Sequence, residues 1–229
     1  MAENSLEQYS HPFVTVDLVI FSLALQQGDL RVLLIERDRP PYDNQLSLPG
    51  GFVHVGEALE VSAERHLQTK TGLSSVYMEQ LFTFGRPDRD PRNHVITVAY
   101  FALVPFDMIS LSKMGDALKL VSVFDLPELA FDHTEIVRVA LQRLRYKLEY
   151  TSLGFELLPD KFKLTELQRA YEIVLSEKLD KRNFRRKILS AEIIEPTGET
   201  SRGGEGRPAK LFRYRDDAVA EVKTRRLFP

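Results

Sequence analysis

Apolar residues in the first half of the chain fall in short, β-favouring runs that are typical of strands. Residues 14–25 and 30–36 are two such runs, separated by the turn residues Gln26-Gln27-Gly28-Asp29. This pattern predicts a strand hairpin at the start of the fold. Further strands are predicted at residues 76–84, 95–104 and 116–124, and a helix is predicted at residues 57–71, stopping at Gly72.

The periodicity changes near residue 126, where helical spacing replaces the strand-like runs. Asp132 followed three residues later by Glu135 is an N-terminal capping signature, so a helix is predicted to begin there. The apolar stripe of this helix comprises Ile136, Ala140, Leu141, Leu144 and Leu148. We place a domain boundary at about residue 150, which divides the chain into residues 1–150 and 151–229.

The C-terminal segment predicts two helices and two strands. Thr165 and Gln168 have capping-box spacing for the first helix, whose apolar stripe comprises Leu167, Tyr171, Val174 and Leu175. Asp180 is a suitable N-cap for the second helix, residues 181–189. Phe184 and Ile188 are four residues apart and can anchor that helix to a core. The two strands are predicted at residues 191–194 and 211–214, on either side of the Gly-rich loop 200–209.

Helix, turn, basic helix and strand hairpin in this order are typical of a winged helix-turn-helix. The second helix of such a unit lies in the DNA major groove, where Arg and Lys pair with guanine and Asn with adenine. A basic wing contacts phosphates and supplies salt-dependent affinity. A solvated basic helix would explain the charge run alone, but not the elements around it. The candidate DNA-binding residues are Lys181, Arg182, Asn183, Arg185, Arg186 and Lys187 on the helix and Arg202, Arg207 and Lys210 at the wing.

Composition adds a charge asymmetry to this picture. Residues 151–229 contain 17 Lys and Arg against 13 Asp and Glu, whereas the rest of the chain contains 14 against 20. A basic end on an acidic body favours a polyanionic partner for that end. The chain has no cysteine, which excludes disulfides and thiolate metal sites and fits a reducing cytoplasm. Asp17 interrupts the apolar run 13–25, so neither a signal peptide nor a membrane span is predicted.

A glycine, glutamate and arginine motif occupies residues 51–73. Gly51, Glu57, Arg65 and Gly72-Leu73 have the spacing of the Nudix box, and the chain resembles the Nudix family over nearly all of residues 12–150. Segments 48–53, 86–92 and 129–133 are similar to its ADP-ribose-handling branch. The resemblance implies an α+β protein, in which an α/β/α sandwich around a mixed sheet precedes the winged helix-turn-helix domain.

The carboxylates that the Nudix box contributes to metal binding are replaced in this chain. In active family members these glutamates bind Mg²⁺, which activates water against a pyrophosphate. Their three positions are occupied by His66, Thr69 and Lys70. We therefore expect hydrolysis to be absent or residual, with no catalytic residue, no metal and no required cofactor. The remaining acids Glu57, Glu60 and Glu64 leave one alternative open, an ADP-ribose pyrophosphatase with a rebuilt metal site.

Nucleotide binding can survive the loss of the metal acids, because it depends on groups outside the metal cluster. Arg86 and Arg89 are the first candidates, since a guanidinium can pair with two phosphate oxygens at once. Asp88 and Asp90 can hold those arginines or a ribose hydroxyl. The other candidates for effector binding are Gly50, Gly51, Arg37 and Glu57. Structural roles are predicted for His66, Asp132 and His133, the last two in helix capping and packing.

The two halves together resemble the Nudix-related transcriptional regulators of NAD metabolism (NrtR type), with residues 164–189 strengthening the match. The resemblance implies a homodimeric repressor of NAD-metabolism genes on a near-palindromic double-stranded DNA operator. It also implies release by ADP-ribose or a related NAD-derived nucleotide. Besides the enzyme, two further alternatives stay open: an RNA-binding or scaffolding module, and an activator in place of a repressor.

Overall fold

The computed structural model describes residues 11–109, 117–150, 157–201 and 208–215. The first unit contains, in chain order, β1 (Phe13–Ala24), β2 (Asp29–Glu36), β3 (Leu46–Ser47), β4 (Gly50–Phe52), α1 (Leu59–Thr71), β5 (Tyr77–Phe84), β6 (Val95–Val104), a 3-10 helix (Phe106–Met108), β7 (Leu118–Ser122) and α2 (His133–Tyr150). The second unit contains β8 (Phe162–Lys163), α3 (Leu164–Leu175), α4 (Lys181–Ser190), β9 (Ile194–Thr200) and β10 (Lys210–Tyr214). None of the helices in the described ranges combines the length and the apolar composition that crossing a bilayer requires.

A mixed sheet forms the centre of the first unit. Its strands run in the order β3-β2-β1-β6-β5, with β4 paired to β1 and β7 paired to β2. β1 and β6 are parallel, and the other pairs are antiparallel. Because β1 is the middle strand and is buried on both faces from Thr15 onward, its sequence is a nearly continuous apolar run and does not alternate.

Helices cover both faces of this sheet. On one face, Leu18 of β1 shares a core with Leu67 of α1. On the other face, Phe21 shares a core with Ile136 and Leu144 of α2. The predicted α/β/α sandwich around a mixed sheet is therefore confirmed.

α1 ends where the sequence predicts and begins two residues later. Gly72 has a φ of +72° and donates its N–H to the carbonyl of Gln68, the left-handed C-cap that glycine favours. Glu57 was predicted to be the first residue of this helix, but the helix starts at Leu59. Glu57 lies in the preceding turn, where its carboxylate accepts a hydrogen bond from the His54 amide at 3.0 Å.

The second unit packs α3 and α4 on the three-stranded sheet β8-β10-β9. Its core joins Tyr171 of α3 and Phe184 and Ile188 of α4 to Phe162 and Phe212 of the sheet. The predicted anchoring by Phe184 and Ile188 is confirmed, because both side chains are buried. The predicted N-cap is confirmed as well, since Asp180 Oδ1 accepts from the Asn183 amide at 2.7 Å.

Two local predictions in this unit are wrong, and one short strand was not predicted. α3 opens at Leu164, where the Glu166 carboxylate accepts from the Lys163 amide at 2.8 Å, so the predicted Thr165–Gln168 capping box does not form. β9 begins at Ile194 and not at residue 191, because Glu192 has a φ of +52° that interrupts an extended backbone. β8 is only two residues long, too short to give a periodic pattern.

The two units share one hydrophobic core. Leu144 and Leu148 of α2 belong to the same buried cluster as Tyr171 and Phe184 of the second unit. Direct contact between α2 and α3 accompanies this shared core. The domain boundary predicted near residue 150 adjoins residues 151–156, which lie outside the described ranges, and it stays a prediction.

Candidate functional site

A polar cavity lies over β1 on the α2 side of the sheet. It is lined by Thr15, Asp17, Arg37, Ser47, Leu48, Gly50, Gly51, Phe52, Arg89, Asp90, Arg92, Val95, Phe131 and His133. Five residues that the sequence predicted for effector binding are thus brought together there: Arg37, Gly50, Gly51, Arg89 and Asp90. Three others, Glu57, Arg86 and Asp88, are not among its lining residues.

The inner wall of the cavity is a buried ionic network centred on Arg89. Its Nε and Nη2 donate to the two carboxylate oxygens of Asp132 at 2.9 and 2.7 Å, and Nη2 lies 3.4 Å from Asp17 Oδ2. Burial acts to lower the pKa of Arg89, but hydrogen bonds and charge from Asp132 and Asp17 outweigh it and raise that pKa. The Arg89 side chain is only 3% exposed, so its guanidinium is out of reach of a ligand in the cavity, which favours a structural role for Arg89 over the predicted phosphate contact.

This network corrects the prediction for Asp132. The sequence predicted a side-chain cap for the following helix, whereas the Asp132 carboxylate pairs with Arg89. The Glu135 amide donates to the backbone carbonyl of Asp132 at 2.9 Å. Asp132 therefore fastens the 86–92 loop to the start of α2 and does not cap the helix with its side chain.

His133 fixes the loop between β3 and β4. Its Nδ1 accepts from the Leu48 amide at 2.9 Å, and its Nε2 lies 3.6 Å from Asp17 Oδ1. Burial lowers the pKa of His133, while the charge of Asp17 opposes the shift. The imidazole is therefore neutral at pH 7, with the proton on Nε2.

The two glycines of β4 are required by close packing. A Cβ on Gly50 would lie 2.2 Å from the carbonyl oxygen of Val16, and one on Gly51 would lie 2.6 Å from Cε1 of His66. His66 is buried and its Nε2 is 3.2 Å from the carbonyl oxygen of Phe52. Burial lowers the pKa of His66, so this ring is a neutral packing element.

The outer wall of the cavity is a cluster of arginines and aromatic rings. The guanidinium of Arg92 lies 5.9 Å from the ring centre of Phe52 and 5.5 Å from that of Phe131, and Arg37 lies 4.8 Å from the Phe131 ring. Tyr42 packs edge-on against Phe131 with ring centres 4.8 Å apart. Cations and ring faces at these distances attract each other. We call these five residues the arginine–aromatic cluster.

Asp90 orients the most accessible arginine of this cluster. Its carboxylate oxygens accept from Arg92 Nε at 2.9 Å and Nη2 at 2.7 Å. The Arg92 side chain is nevertheless 45% exposed, against 3% for Arg89. Arg92 is the last residue of the 86–92 segment, but it was not among the predicted binding residues. Nothing in the sequence shows that it, and not Arg86 or Arg89, is the accessible arginine of the cavity.

The predicted residues outside the cavity have other partners. Arg86 is 64% exposed and lies 3.9 Å from both Asp88 and Glu135. Glu57 accepts from Arg65 Nε at 2.6 Å and Nη2 at 2.7 Å, and these bonds hold the pKa of Glu57 well below its usual range. Glu57 therefore fastens the turn before α1 to the helix itself.

The other polar residues of α1 that the sequence analysis singled out lie on its exposed side or bond to the helix backbone. Thr69 donates its hydroxyl to the Arg65 carbonyl at 2.7 Å. Lys70, Glu60 and Glu64 are exposed. In the part of the chain that the structure describes, no group of three or more His, Asp or Glu side chains is arranged to hold a metal ion.

A second candidate surface is the outer face of α4. Lys181, Arg182 and Arg186 are exposed, and Asn183, Arg185 and Lys187 are half-buried. Arg186 Nη2 donates to the Asn183 side-chain carbonyl at 2.9 Å. Lys210 is exposed at the start of β10, whereas the predicted wing residues Arg202 and Arg207 lie outside the described residues.

Two family models match this chain. The NUDIX domain model matches residues 16–144, and the model of the NrtR DNA-binding winged helix domain matches residues 154–214. The order of the two domains agrees with the order predicted from the sequence.

Two curated relatives are similar to the chain. The ADPR responsive transcriptional repressor NtrR of Acinetobacter baylyi is 40% identical over 220 residues, which cover 93% of this chain and 86% of the relative. An ADP-ribose pyrophosphatase of Methanocaldococcus jannaschii is 39% identical over 134 residues, 57% of this chain and 73% of the relative. The first likeness extends over both units, and the second is confined to a shorter part of the chain.

Two solved structures of Shewanella oneidensis NrtR are also similar. The protein complexed with a 27mer DNA matches with a TM-score of 0.82 and 33% identity, covering 94% of this chain and 99% of that chain. Its NUDIX domain complexed with ADP ribose matches with a TM-score of 0.53 and 34% identity, covering 62% and 95%.

The lowered pKa of His133 predicts a pH dependence of stability. An unfolded histidine has a pKa of about 6.5, so as the pH falls the unfolded state takes up a proton before the native state does. The free energy of unfolding should therefore fall below about pH 6.5, by at most about 1.4 kcal/mol per pH unit from this group.

The variant His133→Asn keeps an acceptor for the Leu48 amide but does not titrate. Its stability, measured by urea denaturation, should fall less steeply with pH than that of the wild type. Parallel pH profiles for the two proteins would contradict this account of His133.

Proposed function

The chain belongs to the NrtR family of Nudix-related transcriptional regulators, and we propose that it is a DNA-binding repressor that ADP-ribose releases from its operator. One observation carries the proposal. One chain contains both a helix with an exposed basic face and a cavity with an arginine–aromatic cluster. A continuous hydrophobic core joins the two. The first can bind a polyanion, and the second can bind a nucleotide.

The chemistry of the cavity suits ADP-ribose. Arg92 and Arg37 offer guanidinium groups to the two phosphates, and the rings of Phe52 and Phe131 offer faces to the adenine. Asp90, which lines the cavity, can accept a hydrogen bond from a ribose hydroxyl. The name of the Acinetobacter baylyi relative and the ADP ribose complex of the Shewanella NUDIX domain support this choice of ligand.

We place α4 in the major groove of DNA. Phe184 and Ile188 bury one face of the helix, which leaves Lys181, Arg182 and Arg186 exposed and Asn183 and Arg185 half-buried. Asn183 and Arg185 then reach base edges, while Lys210 and the predicted wing residues Arg202 and Arg207 contact phosphates. A homodimer on a near-palindromic operator follows from this geometry if two copies of α4 lie about 34–36 Å apart, one turn of DNA. The proposal also places the protein in the cytoplasm and gives it genes of NAD metabolism as targets.

Release follows from linkage. If ADP-ribose binds the DNA-free protein more tightly than the DNA-bound protein, DNA must weaken ADP-ribose binding by the same factor. A hundredfold release requires about 2.7 kcal/mol of difference in ADP-ribose affinity. We propose that ADP-ribose is bound and not cleaved, and that no Mg²⁺ takes part.

A second candidate, an ADP-ribose pyrophosphatase, is favoured by the Methanocaldococcus relative. Against it, His66 fills one acid position with a buried neutral ring, and Lys70 puts a positive charge in another. We expect ADP-ribose to stay intact when it is incubated with the protein and Mg²⁺, with AMP followed by chromatography. Metal-dependent AMP release that Glu60→Gln or Glu64→Gln abolishes would establish the enzyme instead.

The cavity assignment predicts that Arg92→Ala weakens ADP-ribose binding by about tenfold or more, because the loss of one charge-assisted contact costs about 1.4 kcal/mol or more. Isothermal titration calorimetry of the DNA-free protein measures this effect. Arg39→Ala is the matched control, since Arg39 is 75% exposed on a nearby loop and should bind like the wild type. Arg86→Ala, at a position predicted from the sequence but outside the cavity lining, should change the affinity less than Arg92→Ala. Unchanged binding by Arg92→Ala would mean that the nucleotide binds elsewhere.

The DNA assignment predicts different effects for helix and wing. Asn183→Ala and Arg185→Ala should each reduce discrimination between operator and scrambled duplexes by roughly 1–3 kcal/mol per lost base contact. Lys210→Ala should weaken binding to both duplexes alike, because phosphates carry no sequence information. Fluorescence anisotropy measures all three, with Arg143→Ala on the exposed side of α2 as the control. Wild-type discrimination in both helix variants would show that α4 is not the reading helix.

A further inference from the structure

Two arginines hold α3 against the first unit. Arg145 of α2 donates its Nε to the carbonyl of Val174 at 2.9 Å and its Nη2 to the hydroxyl of Ser176 at 3.1 Å. Arg169 of α3 donates to the carbonyl of Gln26 at 3.4 Å. We call the contacts of Arg145 with Val174 and Ser176 the Arg145 clamp.

The Arg145 clamp acts where α3 has backbone acceptors to satisfy. The last four carbonyls of a helix have no partner within it, and that of Val174 is one of them. A positive charge at this end also interacts favourably with the helix dipole. Ser176 is the C-cap, in the left-handed conformation with φ of +58°. The clamp therefore fixes the point at which α3 ends and the chain turns.

The turn that follows is tied to both helices. Glu172 Oε1 accepts from the Leu179 amide at 3.0 Å, and Gln168 Nε2 donates to the Leu179 carbonyl at 2.9 Å. The next residue, Asp180, caps α4. Because each of these contacts is short and specific, the position of the end of α3 determines where α4 begins.

The other end of α2 lies at the cavity. Phe131 and His133 line it, and Phe131 has a φ of +57°, a conformation that costs free energy for a residue with a side chain. Arg145 stands twelve residues beyond His133 on the same helix, about 18 Å along its axis at 1.5 Å per residue. One continuous helix thus carries a cavity residue at its start and the clamp near its end.

We propose that Arg145 is a positioning residue that couples the cavity to α4. A ligand that displaces the strained Phe131 segment shifts α2, the clamp moves the end of α3, and α4 changes its orientation relative to DNA. This inference rests on the proposed function, since it supplies the route by which ADP-ribose would change DNA affinity. In this proposal, Arg145 affects DNA binding without contacting the nucleotide or the DNA.

The test compares DNA affinity with and without saturating ADP-ribose in the full-length protein. A fluorescent duplex selected by the wild type from a random-sequence library is the DNA probe. The coupling factor is the ratio of the two dissociation constants, and typical allosteric proteins give roughly 5- to 150-fold. For Arg145→Ala we expect a factor close to one, while ADP-ribose affinity of the DNA-free protein, measured by calorimetry, stays within about twofold of the wild type because no nucleotide contact is lost.

Two further variants separate coupling from mere stability. Ser176→Gly removes the hydroxyl acceptor but suits the positive φ, so it should lower the coupling factor without lowering the melting temperature. If Arg145→Ala fails to fold or to bind DNA, the coupling factor of Ser176→Gly decides the test. Arg143→Ala removes the same charge from an exposed position of α2 and should keep the wild-type factor.

The outcomes are distinct. A wild-type coupling factor in Arg145→Ala, or in Ser176→Gly where that variant carries the test, would overturn the inference and leave the proposed function standing. An equal loss in Arg143→Ala would overturn it too, since the effect would be general electrostatics. A factor of one in the wild type itself would overturn both the proposed function and the inference that rests on it.

Discussion

The buried ion pair between Arg89 and Asp132 is the interaction on which the cavity depends. Both side chains are almost inaccessible, so each charge relies on the other, and removing one partner of such a pair typically costs about 3–5 kcal/mol. The pair fastens the 86–92 loop to the start of α2. Through Asp17 and His133 it also reaches the Leu48 amide and the β3–β4 loop. Arg92 and Phe131, which give the cavity its affinity for a nucleotide in our proposal, are placed by the segments that this pair joins.

The same constraint links the cavity to the second unit. α2 starts at the ion pair and ends against α3, and its buried Leu144 and Leu148 belong to the core that also contains Tyr171 and Phe184. In our proposal, a change at the start of this helix is transmitted through these packed side chains. Closely packed interiors deform little and transmit strain. In this arrangement a small cavity can influence a helix in another domain.

The sequence predicts the fold well because the relevant signals are local. Periodicity locates most strands and helices, Gly72 and Asp180 mark helix ends, and the resemblance to the Nudix family implies the sandwich. The site is harder to predict, because its residues come from five separate segments that only tertiary structure joins. Three arginines in one loop look alike in sequence, yet Arg89 is buried, Arg86 lies outside the cavity and Arg92 lies within it. Phe52 and Phe131 carry no polar signal that would have singled them out.

The central claim is that one chain binds DNA and a nucleotide and that the two binding events oppose each other. The most direct test is fluorescence anisotropy of the full-length protein on duplexes from upstream of its own gene and neighbouring genes, without Mg²⁺, as ADP-ribose is added. The account predicts sequence-specific binding that ADP-ribose relieves and that survives competitor DNA. No sequence-specific binding at low salt, or specific binding that ADP-ribose leaves unchanged at saturating concentration, would contradict it.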